Sequence, residues 1–213
     1  MTTPLIAVID FETTGGSPQE GARPTEVAIV LTEAGRVVDR FQSLMNPGHR
    51  IPPFIVELTG ITNAMVQTAP PVEDVMADAA RFVNGAPMLA HNASFDRKFW
   101  QAELTHLGLD ATHPFACTVL LARRLVPDAP NHKLGTLAQH LDLPVTGRAH
   151  RALADAEVTA ELLRHMLGVL RRQHSLHHVS HALLQRLQQC AKAQVPQWLA
   201  KQVAFDRAPT PAA

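Results

Sequence analysis

Cysteine is scarce in this 213-residue chain. Only Cys117 and Cys190 occur, so there is neither a disulfide framework nor a zinc-ligand spacing. Aromatics are scarce too: eight Phe, two Trp and no Tyr exclude a broad base-stacking platform. Net charge is zero, from 19 basic and 19 acidic residues, which excludes a strongly basic nucleic-acid coat protein and an acidic tail protein. No stretch reaches 18 apolar residues, so no membrane span is expected. The start, Met1 to Glu12, has no basic flank and meets an acid at Asp10, unlike a signal peptide; the expected location is the cytoplasm. What is present is a globular composition, 46% apolar, long enough for one full core.

Charge divides unevenly. Residues 1–170 hold 13 Lys/Arg against 18 Asp/Glu, and residues 171–213 hold 6 against 1. This divides the chain into an acidic domain at 1–170 and a basic helical tail at 171–213, with the Pro/Ala/Thr end from Ala208 expected to fray.

Leu5 to Ile9 is a short apolar run that stops at Asp10, as a buried strand does. Glu26 to Thr32 and Arg36 to Leu44 read as a hairpin about Glu33-Ala34-Gly35. Phe54 to Leu58 is a helical turn, and Thr62 caps a brief helix. Apolar residues at helical spacing predict a helix over Val72 to Val83. Pro87 to Ala90 is a strand, placed beside Ile9 at the centre of a sheet. A helix capped by Asn92 or Ser94 then runs to Leu107. Helices follow at Cys117 to Leu125, about Leu134 to Leu141, and Ala149 to Leu170. Strands followed by alternating helix and strand predict a mixed α/β sandwich.

The acids sit at the transitions between these elements. Asp10 and Glu12 are two apart on a strand, so they share a face, and two adjacent carboxylates repel unless a cation joins them. The alternative is a solvent-facing strand end. Thr13-Thr14-Gly15-Gly16 follows, a turn small enough for close backbone approach to a ligand. Asp96 lies in His91-Asn92-Ala93-Ser94-Phe95-Asp96; taken alone it also fits a carboxylate at a helix N-terminus. Asp155 follows His150 by five residues, too far round a regular helix to stack on it, but His150 placed at the helix start can swing over the face carrying Asp155. Four carboxylates without cysteine select Mg²⁺ or Mn²⁺. Two such ions about 4 Å apart clamp a phosphoryl group for attack by water, and a histidine suits the base.

Asp10-Phe11-Glu12-Thr13-Thr14-Gly15, His91 to Asp96, and His150-Arg151-Ala152-Leu153-Ala154-Asp155-Ala156 occur in order. With Leu58 to Thr62 and His132-Lys133-Leu134, they make Leu5 to Leu170 resemble the DnaQ-like exonuclease superfamily, in its subtype with four acids and a histidine. Within it the chain is most similar to the proofreading epsilon-subunit group of bacterial DNA polymerase III. The resemblance implies a ribonuclease H-like fold, a five-stranded mixed sheet flanked by helices, here with a C-terminal helical tail. It implies that Asp10, Glu12 and Asp155 hold two divalent ions directly, Asp10 bridging them, and that Asp96 holds the second largely through water. His150 would deprotonate the attacking water. The reaction implied is 3′→5′ removal of nucleoside 5′-monophosphates from a DNA 3′ end. The backbones of Thr13 and Thr14 would meet the terminal nucleotide, and His91, Asn92 and Phe95 would line the groove, Phe95 either stacking on a base or plugging the core. The implied partners are nucleic acid and a polymerase or other replication or repair subunit. An RNA-directed exonuclease of the same superfamily and a non-catalytic scaffold are the alternatives. One departure is Gly16, where the family often has a bulky apolar residue; the long loop from Ser17 to Ala22 after it is expected to be mobile.

In the tail, read as a helical pattern, His174, His177, His178 and His181 share a helical face. No carboxylate or cysteine joins them as metal ligands. A nucleic-acid contact and a docking helix are the other readings, and the apolar stripe Leu176, Val179, Leu183, Leu184 and Leu187 favours packing.

Overall fold

The structure, a computed structural model, describes residues 5–206. Its centre is one five-stranded sheet: β1 (Ile6–Thr13), β2 (Pro24–Glu33), β3 (Arg36–Leu44), β4 (Met88–Ala90) and β5 (Phe115–Cys117), in the order β3-β2-β1-β4-β5. β1, β2 and β3 pair antiparallel, while β4 and β5 run parallel to β1. This is the mixed sheet of the ribonuclease H-like expectation. The β2–β3 hairpin turns through Ala34 and Gly35, both at positive φ, as a tight primed turn requires. Gly35 is also needed for space, because a Cβ there would lie 2.9 Å from the Arg164 backbone.

Helices cover both faces. α1 (Pro53–Thr59), α2 (Asn63–Gln67) and α3 (Val72–Val83) separate β3 from β4, and Thr62 caps α2 by accepting the Met65 N–H. α4 (Ser94–His106) follows β4, and α5 (Thr118–Leu125), α6 (Leu134–His140) and α7 (Ala152–His174) follow β5. Alternation along β1 sorts the core. Ala7, Ile9 and Phe11 pack with α3 and α4 around Phe99 and Trp100. Ile6 and Val8 pack on the opposite face with α5, α6 and α7. Ala152, Ala156 and Ala160, one turn apart, are fully buried in that layer and let α7 lie close to the sheet.

β1 runs to Thr13 and carries Asp10 and Glu12 at its end, as expected, paired with Ala28 and Glu26. Two helix starts differ from expectation. Cys117 ends β5 rather than opening a helix. α7 begins at Ala152 rather than Ala149, because His150 has φ +60°.

The tail is not one helix. α7 continues to His174, where Ser175 turns left-handed, and α8 (His181–Leu187) and α9 (Val195–Asp206) fold back. Leu176, Leu184, Leu187, Val195 and Leu199 join the core layer of α7. The four histidines therefore share no helical face: His181 is buried and bonds the Met88 carbonyl at 2.7 Å, while His177 and His178 lie in the connection. The Gln188 side chain accepts the Cys117 N–H and Gln185 donates to the Phe115 carbonyl, so α8 closes the β5 edge of the sheet. The proposed frayed end at Ala208 to Ala213 lies outside the described residues. Among the described residues, no helix is long and apolar enough to cross a membrane.

Candidate active site

β1 outlasts its parallel neighbour. β4 ends at Ala90 after pairing with Ala7 and Val8, so the far half of β1 loses its strand partner on that side. Asp96, in the first turn of α4, fills the gap: its Oδ1 accepts the Phe11 N–H at 3.2 Å, and the residue is only 2% exposed. It is therefore not a surface acid at a helix start. Neither Asn92 nor Ser94 caps α4; Ala93 holds that position, with no side-chain bond.

Asp10 and Glu12 point to the α7 side of the sheet, the face of Ile6 and Val8. α7 brings Asp155 there, and the carboxylate accepts the His150 N–H at 3.1 Å. The left-handed turn at His150 lets its imidazole join this face. One ligand atom each from Glu12, His150 and Asp155 lie within 4.8 Å of one another, the only such group among the described residues. Asp10, Glu12, Asp96, His150 and Asp155 all line one cleft of about 1240 Å³.

The acids in this cleft oppose one another. Burial raises the Asp10 carboxyl well above the usual range, and the charges of Asp96, Glu12, Asp155 and Glu26 raise it further. Burial and the charges of Asp155, Glu26 and Asp96 push Glu12 up to about 8, against a lowering by Arg151. Asp96 is pushed up to about 7 by burial, despite the Phe11 N–H and Lys98. Asp155 is also raised by burial, with His150 opposing. An oxygen-rich set of carboxylates that resists ionisation without a cation fits hard divalent ions.

The remaining predicted residues divide. Thr13, His91, Asn92 and Phe95 line the cleft; Thr14 does not. Thr14 is buried, its N–H donates to the Arg23 carbonyl, and its hydroxyl bonds His49 and the Arg23 N–H. Both His91 nitrogens are committed, Nδ1 to the Thr118 hydroxyl at 2.8 Å and Nε2 to the His132 carbonyl at 3.1 Å. Burial lowers its pKa to about 4, so it ties β4, α5 and the α6 approach together as a neutral ring. Phe95 packs on Phe99, ring centroids 5.0 Å apart, as a core plug does, and also lines the cleft. The loop after Gly16 is built as a 3₁₀ turn over Pro18–Glu20, closed by the Ala22 N–H on the Ser17 carbonyl.

Sequence reasoning missed Phe54 and Leu58, one turn apart on α1, exposed by 65% and 46% on the cleft wall. The available signal was two large apolar residues four apart on a short helix between Pro53 and Gly60. It also missed Glu26, which is fully buried opposite Glu12 and bonded to Arg151. A lone acid in an apolar strand looked like a strand end.

The sequence profile of the RNase T-type exonuclease family matches residues 7–163. The chain belongs to this exonuclease family. With membership goes the enzyme class, an exonuclease, and the family implies divalent metal ions, for which Glu12, His150 and Asp155 offer ligand atoms. A DNA polymerase III PolC-type from Oceanobacillus iheyensis is 42% identical over 159 residues, 74% of this chain. The 3′-5′ exonuclease DinG of Bacillus subtilis is 38% identical over 173 residues, 81% of this chain. The chain spans only 11% and 18% of these two longer relatives. Exonuclease X, solved in complex with 5′ overhanging duplex DNA, is 30% identical with a TM-score of 0.62, covering 76% of this chain and 91% of that one. This exonuclease domain thus places its three motifs on β1, the β4–α4 junction and the start of α7.

Proposed function

We propose that this chain hydrolyses the 3′-terminal phosphodiester of single-stranded or frayed DNA, releasing nucleoside 5′-monophosphates. The observation that carries this is the convergence of Asp10, Glu12, Asp96, Asp155 and His150 on one cleft, where burial and mutual repulsion raise the carboxyls. Asp10, Glu12 and Asp155, with Asp96, would hold two divalent ions, Mg²⁺ or Mn²⁺. Bound there, such ions supply Lewis-acid activation and offset the charge that develops on the phosphate oxygens. His150, exposed at the cleft beside Asp155, takes the proton of the attacking water. The new P–O bond forms as the bond to the 3′ oxygen of the preceding nucleotide breaks, and that oxygen is then protonated.

Thr13, Asn92 and Phe95 line the path of the terminal nucleotide. With no bulky side chain at Gly16, Phe54 and Leu58 supply the apolar contact to a base from the other wall. DNA is preferred over RNA because PolC-type polymerase and Exonuclease X are DNA proteins by name. A setting beside a DNA polymerase is what the PolC-type relative's name supports.

The test is digestion of 5′-labelled single-stranded DNA and RNA of one sequence, with Mg²⁺ or Mn²⁺ and with EDTA. The expected result is a DNA ladder that shortens from the 3′ end, stops with EDTA, and leaves RNA intact. Preferred RNA cleavage would replace the substrate, and cleavage of neither would favour a non-catalytic subunit.

A further inference from the structure

Three consecutive residues lead into α7, and a carboxylate from another position holds each. Asp155 Oδ2 accepts the His150 N–H at 3.1 Å. Glu26, on β2, accepts Arg151 Nε at 3.1 Å and Nη2 at 2.8 Å, a two-pronged pairing. The same carboxylate accepts the Ala152 N–H at 3.1 Å, and Gln42 adds a bond at 2.8 Å. Arg151 is the cap residue of α7 and offers no side-chain cap of its own; Glu26 takes over that role from a distant strand. The residue so bracketed, His150, has φ +60°. A non-glycine residue stays in that region only where its surroundings fix it, at a cost of about 1–3 kcal/mol.

Resting on the reading of His150 as the proton acceptor, we propose that Glu26 and Arg151 are positioning residues. Their pair fixes the backbone entry to α7 and thereby sets the His150 imidazole against Glu12 and Asp155. Glu26 is suited to this because it is the cross-strand neighbour of Glu12, so the clamp and the reacting face share one register. Arg151 is suited because it adjoins His150 directly. If the pair only stabilised α7, its loss would lower folding stability without singling out the histidine.

The experiment compares Arg151→Met and Arg151→Lys, each with and without His150→Ala, on labelled single-stranded DNA in saturating Mn²⁺. Hydrogen exchange of the amides at 148–153 is followed in parallel. Arg151→Met is expected to lower kcat about 10- to 100-fold while KM changes less than about threefold, as misplacement of a reacting group does. In the His150→Ala background the same change is expected to cost less than about twofold, because no base remains to be misplaced. Arg151→Lys keeps the charge but loses the fork, so it is expected to lie between wild type and Arg151→Met. Equal losses in both backgrounds, or full kcat in Arg151→Lys, would overturn the proposal. If Arg151→Met does not fold, Arg151→Lys carries the same comparison. Faster exchange at His150 and Ala152 is expected in both variants; unchanged protection overturns the clamp whatever the turnover. Wild-type protein that cleaves no nucleic acid would instead remove the proposed function, with the exchange result still deciding whether the clamp exists.

Discussion

Glu12 and Glu26 face each other across adjacent strands, and both are buried. Their surroundings drive them apart. Burial pushes the Glu26 carboxyl up, but the bonds from Arg151, the Ala152 N–H and Gln42 more than offset this and hold it below the ordinary range. Glu12 has no such partner; burial and three neighbouring acids push it up to about 8. A second paired group stands at Arg23, which binds Glu73 and Glu103 at 2.9 Å and lowers Glu73. The difference between the acid sets is a cation. Where structure is the purpose, the fold pairs the carboxylate with a guanidinium; among the described residues no ion pair joins Asp10, Glu12, Asp96 or Asp155 to an arginine or lysine, and these acids crowd together at a cost to stability.

Substitutions should therefore act in opposite directions in the two regions. The largest effect is expected for Asp10→Asn: turnover falls on the order of 10³-fold or more, while the metal-free protein melts at a higher temperature, by about 2–4 °C per kcal/mol of relieved repulsion. Turnover assays and thermal melts in EDTA check both halves; a lower melting point would break the contrast. His150→Ala is expected to lower kcat by about 10²- to 10⁴-fold with the half-saturating Mn²⁺ concentration unchanged, read from metal titrations of activity. Retained turnover across pH 6 to 9 would remove His150 as the base.

Arg23→Met should do the reverse of Asp10→Asn. It leaves Glu103 buried without its guanidinium and should cost about 1–3 kcal/mol of stability, with kcat little changed. Denaturant melts and turnover assays measure the two. The smallest effect is on pH. Glu12 titrates at 4.5 when free and about 8 in the fold, so the folded form holds a proton that the unfolded chain gives up across that window. Stability of the metal-free protein should therefore fall as pH rises from about 4.5 toward 8, where these pKa values set the limits. Added Mn²⁺ should restore it most at the upper end. Melts at stepped pH, with and without metal, test the sign.

Much of this was legible in the sequence. The acids stood out because apolar runs lead up to them, the β2–β3 hairpin followed from the tight turn Glu33-Ala34-Gly35, and α3 followed from helical spacing. What escaped depends on long-range contact. β5 is three residues that run straight into α5, too short for any period to register. The end of α7 at Ser175 carries no glycine or proline, and the tail's return over the β5 edge rests on Gln185 and Gln188, whose partners lie about seventy positions away. Glu26 was hidden for the same reason: its partners are Arg151 and Ala152, more than a hundred residues on.

The measurement that tests the central claim most directly is calorimetric titration of Mn²⁺ into the metal-free protein at pH 7, repeated in buffers of different ionisation enthalpy. Glu12 and Asp96 titrate at about 8 and about 7, so the account predicts that binding releases protons. Asp10→Asn should weaken both binding and release. Failure of Mn²⁺ to bind, or equal binding to Asp10→Asn without proton release, would contradict the reading of this acid cluster as a cation site.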